Sequence, residues 1–254
     1  RICMKGRLTK SQRKALRKEG VYPHPTLTTS KNNFIMMNVE PLTDNQERAF
    51  DAYEEGKNLL LHGLSGTGKT FISCYLALEE LLGGMSDHRK LIIVRSVVPT
   101  RDMGFLPGNA KEKSRVYEAP YSTVVSDLFG RGDAYQILKT KGIIEFETTS
   151  FIRGITFEDS IVVVDEVNNM SFHELDSVIT RVGRNCKIIF SGDFRQSDLR
   201  GEEKNGLHKF MNVLSKLKNF EHIEFEEEDI VRSGLVKEYI ITKHKLGYDQ
   251  ALCA

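Results

Sequence analysis

Leu59-Leu60-Leu61-His62-Gly63-Leu64-Ser65-Gly66-Thr67-Gly68-Lys69-Thr70 decides how this chain folds. An aliphatic run of strand type leads into a glycine-rich octet, and from Phe71 to Leu82 apolar residues recur at helical spacing. The order is strand, glycine turn, helix, and the octet fits G-x-x-x-x-G-K-[ST], the Walker A phosphate loop. Glycines let the backbone curl with no Cβ in the way, so successive N–H groups face a phosphate. The helix that starts near Lys69 adds the positive end of its dipole. Gly63, Ser65, Gly66, Thr67, Gly68, Lys69 and Thr70 are therefore the expected nucleotide-binding set. Lys69 reaches the β and γ phosphates and Thr70 holds Mg²⁺, so ATP and Mg²⁺ are the expected cofactors. A chance glycine turn is the bland alternative, and the fixed residues between strand and helix outweigh it.

Ile161-Val162-Val163-Val164-Asp165-Glu166 carries the second signal. Four aliphatic residues followed by two acids form a Walker B element. Asp165 is expected at the metal, and Glu166 as the catalytic group that polarises the attacking water. Adjacent carboxylates at the end of a buried strand are costly unless a cation or hydrogen bonds satisfy them. A further strand run, Lys187–Ser191, ends in Gly192-Asp193-Phe194-Arg195-Gln196, which places Gln196 to sense the γ-phosphate or the water. Leu91–Ser96 is near-continuously apolar, as suits a strand buried on both faces of a parallel sheet, and with the preceding helix it makes a βαβ unit. Arg95 at its far end points to the edge where α/β ligands bind. Ile143–Thr148 and His222–Phe225 read as additional strands. The fold class is α/β, a mostly parallel sheet flanked by helices.

Composition bounds the rest. The chain has 254 residues, 40% of them hydrophobic, which supports a packed core and argues against disorder. A net charge of +1 names no partner by itself. Four scattered cysteines without a C-x-x-C pair argue against a disulfide framework or a zinc site and fit a reducing cytoplasm. No apolar run approaches membrane-spanning length, so no membrane partner is expected. Residues 1–20 hold eight Lys and Arg against Glu19. This is a basic arm, either a phosphate-backbone contact or a solvated tail. With the Pro-containing stretch to residue 40, and a short strand near Phe34–Val39, it forms an arm and linker (1–40) ahead of the main domain (41–254). Thr43 or Asp44 caps a helix running to Gly56. Gln46 lies in its first turns; by chemistry alone it reads as an ordinary helix-surface residue, although its amide matches an adenine edge. An insert, 97–142, interleaves Lys111, Lys113 and Arg115 with Tyr117 and Tyr121. Such a stretch can stack on single-stranded bases or serve as a helical lid. Ser171 and Glu174 form a capping box for a helix to about Arg181. Glu226–Asp229 favour the N-terminus of a last helix, Val231 to about Ile241.

The motif order resembles the PhoH family of P-loop ATPases, related to the core of superfamily-one helicases. The likeness covers about residues 42–242. Besides Gly63–Thr70, it rests on Gly104-Phe105-Leu106-Pro107-Gly108, Arg153-Gly154-Ile155-Thr156, Thr180-Arg181-Val182-Gly183, Gly192–Leu199 and Asp229-Ile230-Val231-Arg232. The family's D-E-A-Q-N is Asp165-Glu166-Val167-Asn168-Asn169 here, with Asn168 a methylene shorter than glutamine, and its R-P pair is Arg95-Ser96. The resemblance implies a RecA-like P-loop NTPase fold, ATP hydrolysis, and RNA-linked or helicase-like activity. It also implies adenine reading by Gln46. The length has room for one lobe, so an arginine finger is expected from a neighbouring subunit, Arg181 or Arg232, in a homo-oligomeric ring, a hexamer. RNA or single-stranded nucleic acid is the expected partner. A nucleotide-gated protein-interaction ATPase is the alternative, and a small-molecule kinase fits the D-E pair and the G-D-x-x-Q strand end less well.

Overall fold

A computed structural model describes residues 27–29, 32–84, 86–96, 110–194 and 202–248. Two short antiparallel strands, β1 (Leu27–Thr29) and β2 (Asn32–Phe34), precede α1 (Asp44–Glu54). Then follow β3 (Asn58–Gly63), α2 (Lys69–Leu82), β4 (Lys90–Arg95), α3 (Ala110–Phe129) and α4 (Ala134–Thr140). The second half runs β5 (Ile144–Thr148), β6 (Ser160–Asp165), α5 (Phe172–Ile179), β7 (Cys186–Gly192), α6 (Glu202–Leu214), β8 (Phe220–Phe225) and α7 (Gly234–Lys245).

β3 to β8 form one parallel sheet in the order β5-β4-β6-β7-β3-β8. Its aliphatic runs are buried on both faces, as a parallel sheet between helix layers requires. Strand alternation divides them. Leu59, Leu61, Ile93, Val163 and Ile189 face a layer that includes α1, α2, α3 and α4. Leu60, Val94, Val162, Val164 and Phe190 face α5 and α6. The phosphate-loop strand β3 and the acid-bearing β6 sit either side of β7, so both motifs end at the same edge of the sheet. This is the expected α/β, RecA-like P-loop arrangement.

Local chemistry sets the element ends. Thr43 caps α1, its Oγ1 accepting the Gln46 N–H at 3.3 Å. The Ser171–Glu174 capping box is present on α5. Two expectations need correction, and the insert takes its helical alternative. The strand expected near Phe34–Val39 ends at Phe34; beyond it Met37 N–H donates to the Leu128 carbonyl, and Phe34 and Met36 are buried in the main core rather than strung out as linker. The 97–142 stretch forms two packed helices from residue 110 onward. Glu226–Asp229 do not start the last helix. They close a turn of their own, in which Asp229 accepts the Glu226 N–H at 2.9 Å, and α7 begins only at Gly234. The basic arm at 1–20 and Gly104–Gly108 lie outside the described residues.

Candidate functional site

The cleft at the carboxyl edge of the sheet, about 1100 Å³, is bordered by the phosphate loop, Asp165, Glu166, Asn168, Arg95 and Arg232. Gly63 ends β3 at φ 118°, where a Cβ would lie 2.1 Å from the Phe225 carbonyl oxygen, so only glycine lets the chain turn into the loop here. Lys69 opens α2. Its Nζ donates to the carbonyls of Gly63 (3.0 Å) and Leu64 (2.6 Å) and to Thr67 Oγ1 (3.3 Å). Burial lowers the pKa of this ammonium, against the opposing pull of Asp193, Asp165 and Glu166.

One turn into α2, Thr70 Oγ1 donates to Asp165 at 3.1 Å from either carboxylate oxygen. Asp165 is 4% exposed. It also accepts a hydrogen bond at 3.0 Å from Tyr121 of α3. Glu166 follows at φ 55°, left-handed backbone that costs a non-glycine residue on the order of 1–3 kcal/mol and that clusters at functional sites. That turn puts two consecutive carboxylates on one cleft. Burial first, and then the charge of Asp165, push the Glu166 carboxyl above the usual carboxylate range.

Asn168 is buried, and its Oδ1 accepts the Asp193 N–H at 3.0 Å, tying the end of β6 to the end of β7. The shorter side chain suffices because Gly192 lets it come close: a Cβ there would sit 2.7 Å from Asn168 Oδ1. Ser191 Oγ, at the same edge, is buried with no hydrogen-bond partner among the described residues.

Gln46 is 4% exposed. Its Nε2 donates to the Thr67 carbonyl at 3.1 Å and its Oε1 accepts the Leu42 N–H at 2.8 Å. It borders the cleft while bracing the phosphate loop, so it is no helix-surface residue. Val231 N–H donates to the Gly66 carbonyl at 3.1 Å, which lays Arg232 against the loop of its own chain. Asp229 anchors that segment, accepting from Asn45 Nδ2 at 2.8 Å. Arg95 stands opposite Asp165 in the β4–β6 register, its guanidinium 5.8 Å from the centre of the Tyr117 ring.

Arg181 lies off the cleft of its own chain, its Nε donating to the Ile152 carbonyl and its Nη1 to the Ser177 carbonyl, both at 2.6 Å. One expectation is displaced by this geometry: Tyr121 is wholly buried and is not available to stack on bases. Gln196 lies outside the described residues. Sequence reasoning gave no role to Ser191 or Asp193, and it missed the contact of Tyr121 with Asp165. A strand end following Walker B was the only hint for the first pair.

The residues present fit a magnesium–phosphate group. Thr70 and Asp165 are hard oxygen donors in contact, the buried Ser191 hydroxyl at the cleft's edge has no partner among the described residues, and a lysine lies in the glycine loop. Among the described residues no three His, Cys, Asp or Glu side chains form a cluster able to hold a metal. A cation here would therefore rely on Thr70, Asp165, phosphate and water, the habit of Mg²⁺. No helix among the described residues is long and apolar enough to cross a membrane.

Comparison with known proteins gives a consistent picture. A family model described as PhoH-like protein matches residues 38–243. The chain is 34% identical over 187 residues to a PhoH-like protein of Bacillus subtilis, covering 72% of this chain and 58% of that protein. It is 30% identical over 221 residues to one of Mycobacterium leprae (84% and 62%) and 32% identical over 186 residues to Protein PhoH of Escherichia coli (72% and 52%). It thus spans little more than half the length of these curated relatives. Among solved structures it is similar to the large terminase of a thermophilic bacteriophage, with a TM-score of 0.49 at 14% identity over 79% of this chain and 50% of that one. Bacteroides Pif1 bound to ssDNA gives a TM-score of 0.39 at 12% identity over 84% and 48%.

Proposed function

Since this chain belongs to the PhoH-like family, we propose that it binds ATP with Mg²⁺ and hydrolyses it, coupling turnover to RNA or single-stranded nucleic acid. The observation that carries the reading is the contact of Thr70 with Asp165, with Glu166 beside it at the mouth of a phosphate loop. In this scheme the loop amides and Lys69 grip the β and γ phosphates. Nucleotide binding exchanges the Lys69 bonds to the Gly63 and Leu64 carbonyls for bonds to phosphate oxygens. Thr70 and Asp165 would hold Mg²⁺, which when bound offsets the negative charge of the phosphate oxygens. Glu166 accepts the proton of the attacking water, a task suited by its raised pKa. Gln196 orients that water. Arg232 and Arg95, at the cleft of their own chain, offer positive charge toward the γ-phosphate. Gln46 holds the loop and turns its remaining amide capacity to adenine.

The nucleic-acid partner is supported by the basic residues at 1–20 and by the family resemblance. Self-association into a ring is supported by the exposed Leu235, Tyr239 and Tyr248 on and just after α7, beside the cleft. Arg232, beside its own pocket, is placed to act within its own chain, and Arg181, off that pocket, is the candidate finger for a neighbour. The test is phosphate release from ATP with and without RNA or single-stranded DNA at rising salt, beside Lys69→Ala. Stimulation that fades with salt supports the coupling, and loss of release in Lys69→Ala supports the site. Release indifferent to any nucleic acid would favour a nucleotide-gated partner protein instead.

A further inference from the structure

We propose that Tyr121 is the positioning residue that sets the Asp165 carboxylate for its cation, which makes helix α3 a structural part of the metal site. The inference rests on the reading that Asp165 helps to hold Mg²⁺. Tyr121 is among the largest wholly buried side chains in the molecule. Its ring packs in the main core, 5.9 Å from that of Phe146, and its one polar atom meets Asp165 Oδ2 at 3.0 Å. Thr70 reaches the same carboxylate from α2. Asp165 is thus fixed from two helices, and a buried carboxylate with two neutral donors has little freedom to rotate. Groups that hydrogen-bond a metal ligand orient it and tune its affinity.

The placement is not that of a core tyrosine whose hydroxyl merely found the nearest acceptor. One turn earlier on α3, Tyr117 lies under the guanidinium of Arg95, which is the register partner of Asp165 on the neighbouring strand. Pro120 and Val124 of the same helix border the cleft. One helix therefore contacts the acid, the facing arginine and the pocket wall. Any displacement of α3 reaches the cation through the Tyr121 hydroxyl.

The test is ADP titration by calorimetry in Mg²⁺ and in EDTA, on the wild-type chain and on Tyr121→Phe, which keeps the ring. Mn²⁺ binding to the ADP complex, followed by electron paramagnetic resonance, gives a second readout. The expected result is unchanged ADP affinity in EDTA, with the Mg²⁺ concentration needed for half-maximal effect raised about tenfold or more, and Mn²⁺ affinity reduced in parallel. Equal Mg²⁺ and Mn²⁺ dependence in the two chains overturns the assignment. So does equal loss of ADP affinity in both media, because the hydroxyl would then support the pocket in general. A wild-type chain that binds ADP without any Mg²⁺ effect overturns the metal reading itself, and the role of Tyr121 with it.

Discussion

A glutamate in left-handed backbone, next to an aspartate already bound by two hydroxyls, is an arrangement that folding alone would not favour. Burial and the neighbouring charge raise the Glu166 pKa, so its carboxylate is ready to accept a proton. Glu166→Gln keeps the shape and removes the base. Turnover is expected to fall by roughly 10²–10⁴-fold with ADP affinity within experimental error of the wild type, checked by phosphate release and calorimetry. An equal loss in both would mean that Glu166 shapes the pocket instead. At this scale the contiguous residues were legible: Lys69, Thr70, Asp165 and Glu166 stand in two short motifs whose chemistry dictates their spacing. The place of Tyr121, between base stacking and a helical lid, stays open in the sequence because nothing near it reports that Asp165, 44 positions away, is its partner. The reach of Asn168, a methylene shorter than glutamine, is equally illegible, since the close approach at Gly192 exists only after β6 and β7 pair.

Helix α2 transmits the phosphate loop into the fold, and its far end is held by charge. Glu80 accepts from Lys187 of β7 at 2.7 Å and sits 2.7 Å from His88 Nδ1, while Lys187 lies 3.8 Å over the Tyr53 ring of α1. Burial alone would raise the Glu80 carboxyl, but hydrogen bonds from His88, Lys187 and Tyr53 and the Lys187 charge hold it down at about 2. Its folded pKa lies below its unfolded one, near 4.5, so the stabilisation is complete above pH 4.5 and is lost as pH falls toward 2. Thermal unfolding followed from pH 6 to 2 is expected to show a loss that Glu80→Gln removes, on the order of 2–3 kcal/mol. An identical pH slope in both chains would place the acid sensitivity elsewhere. Strands were the most legible elements, because aliphatic runs buried on both faces leave little alternative. Helices were less so. The four acids before Ile230 look like a helix start, yet Asp229 is drawn into its own turn by the Glu226 N–H and by Asn45, a contact between residues 184 apart in the chain.

Over the whole molecule, the parallel sheet gathers the phosphate loop, the Asp165–Glu166 pair and the Gly192–Asp193 strand end at one edge, which is why the fold class followed from the motif order. Assembly is not legible in this way, since the argument for a ring rests on an arginine finger, and Arg181 or Arg232 would serve a neighbour's site only across an interface that one chain does not contain. A second argument is the apolar surface of α7, where Leu235 and Tyr239 are exposed. Light scattering is expected to give a mass several times 28.9 kDa, falling toward the monomer in Leu235→Glu with Tyr239→Glu. A monomeric wild type, or a variant that stays assembled, would remove α7 from the interface. The account as a whole stands on one event, the capture of magnesium nucleotide at the glycine loop. Calorimetric titration of Glu166→Gln with ATP in saturating Mg²⁺ tests it directly. Saturable binding of one nucleotide per chain, abolished by adding Lys69→Ala, is the result predicted. Absence of binding, or binding that survives Lys69→Ala unchanged, would contradict it.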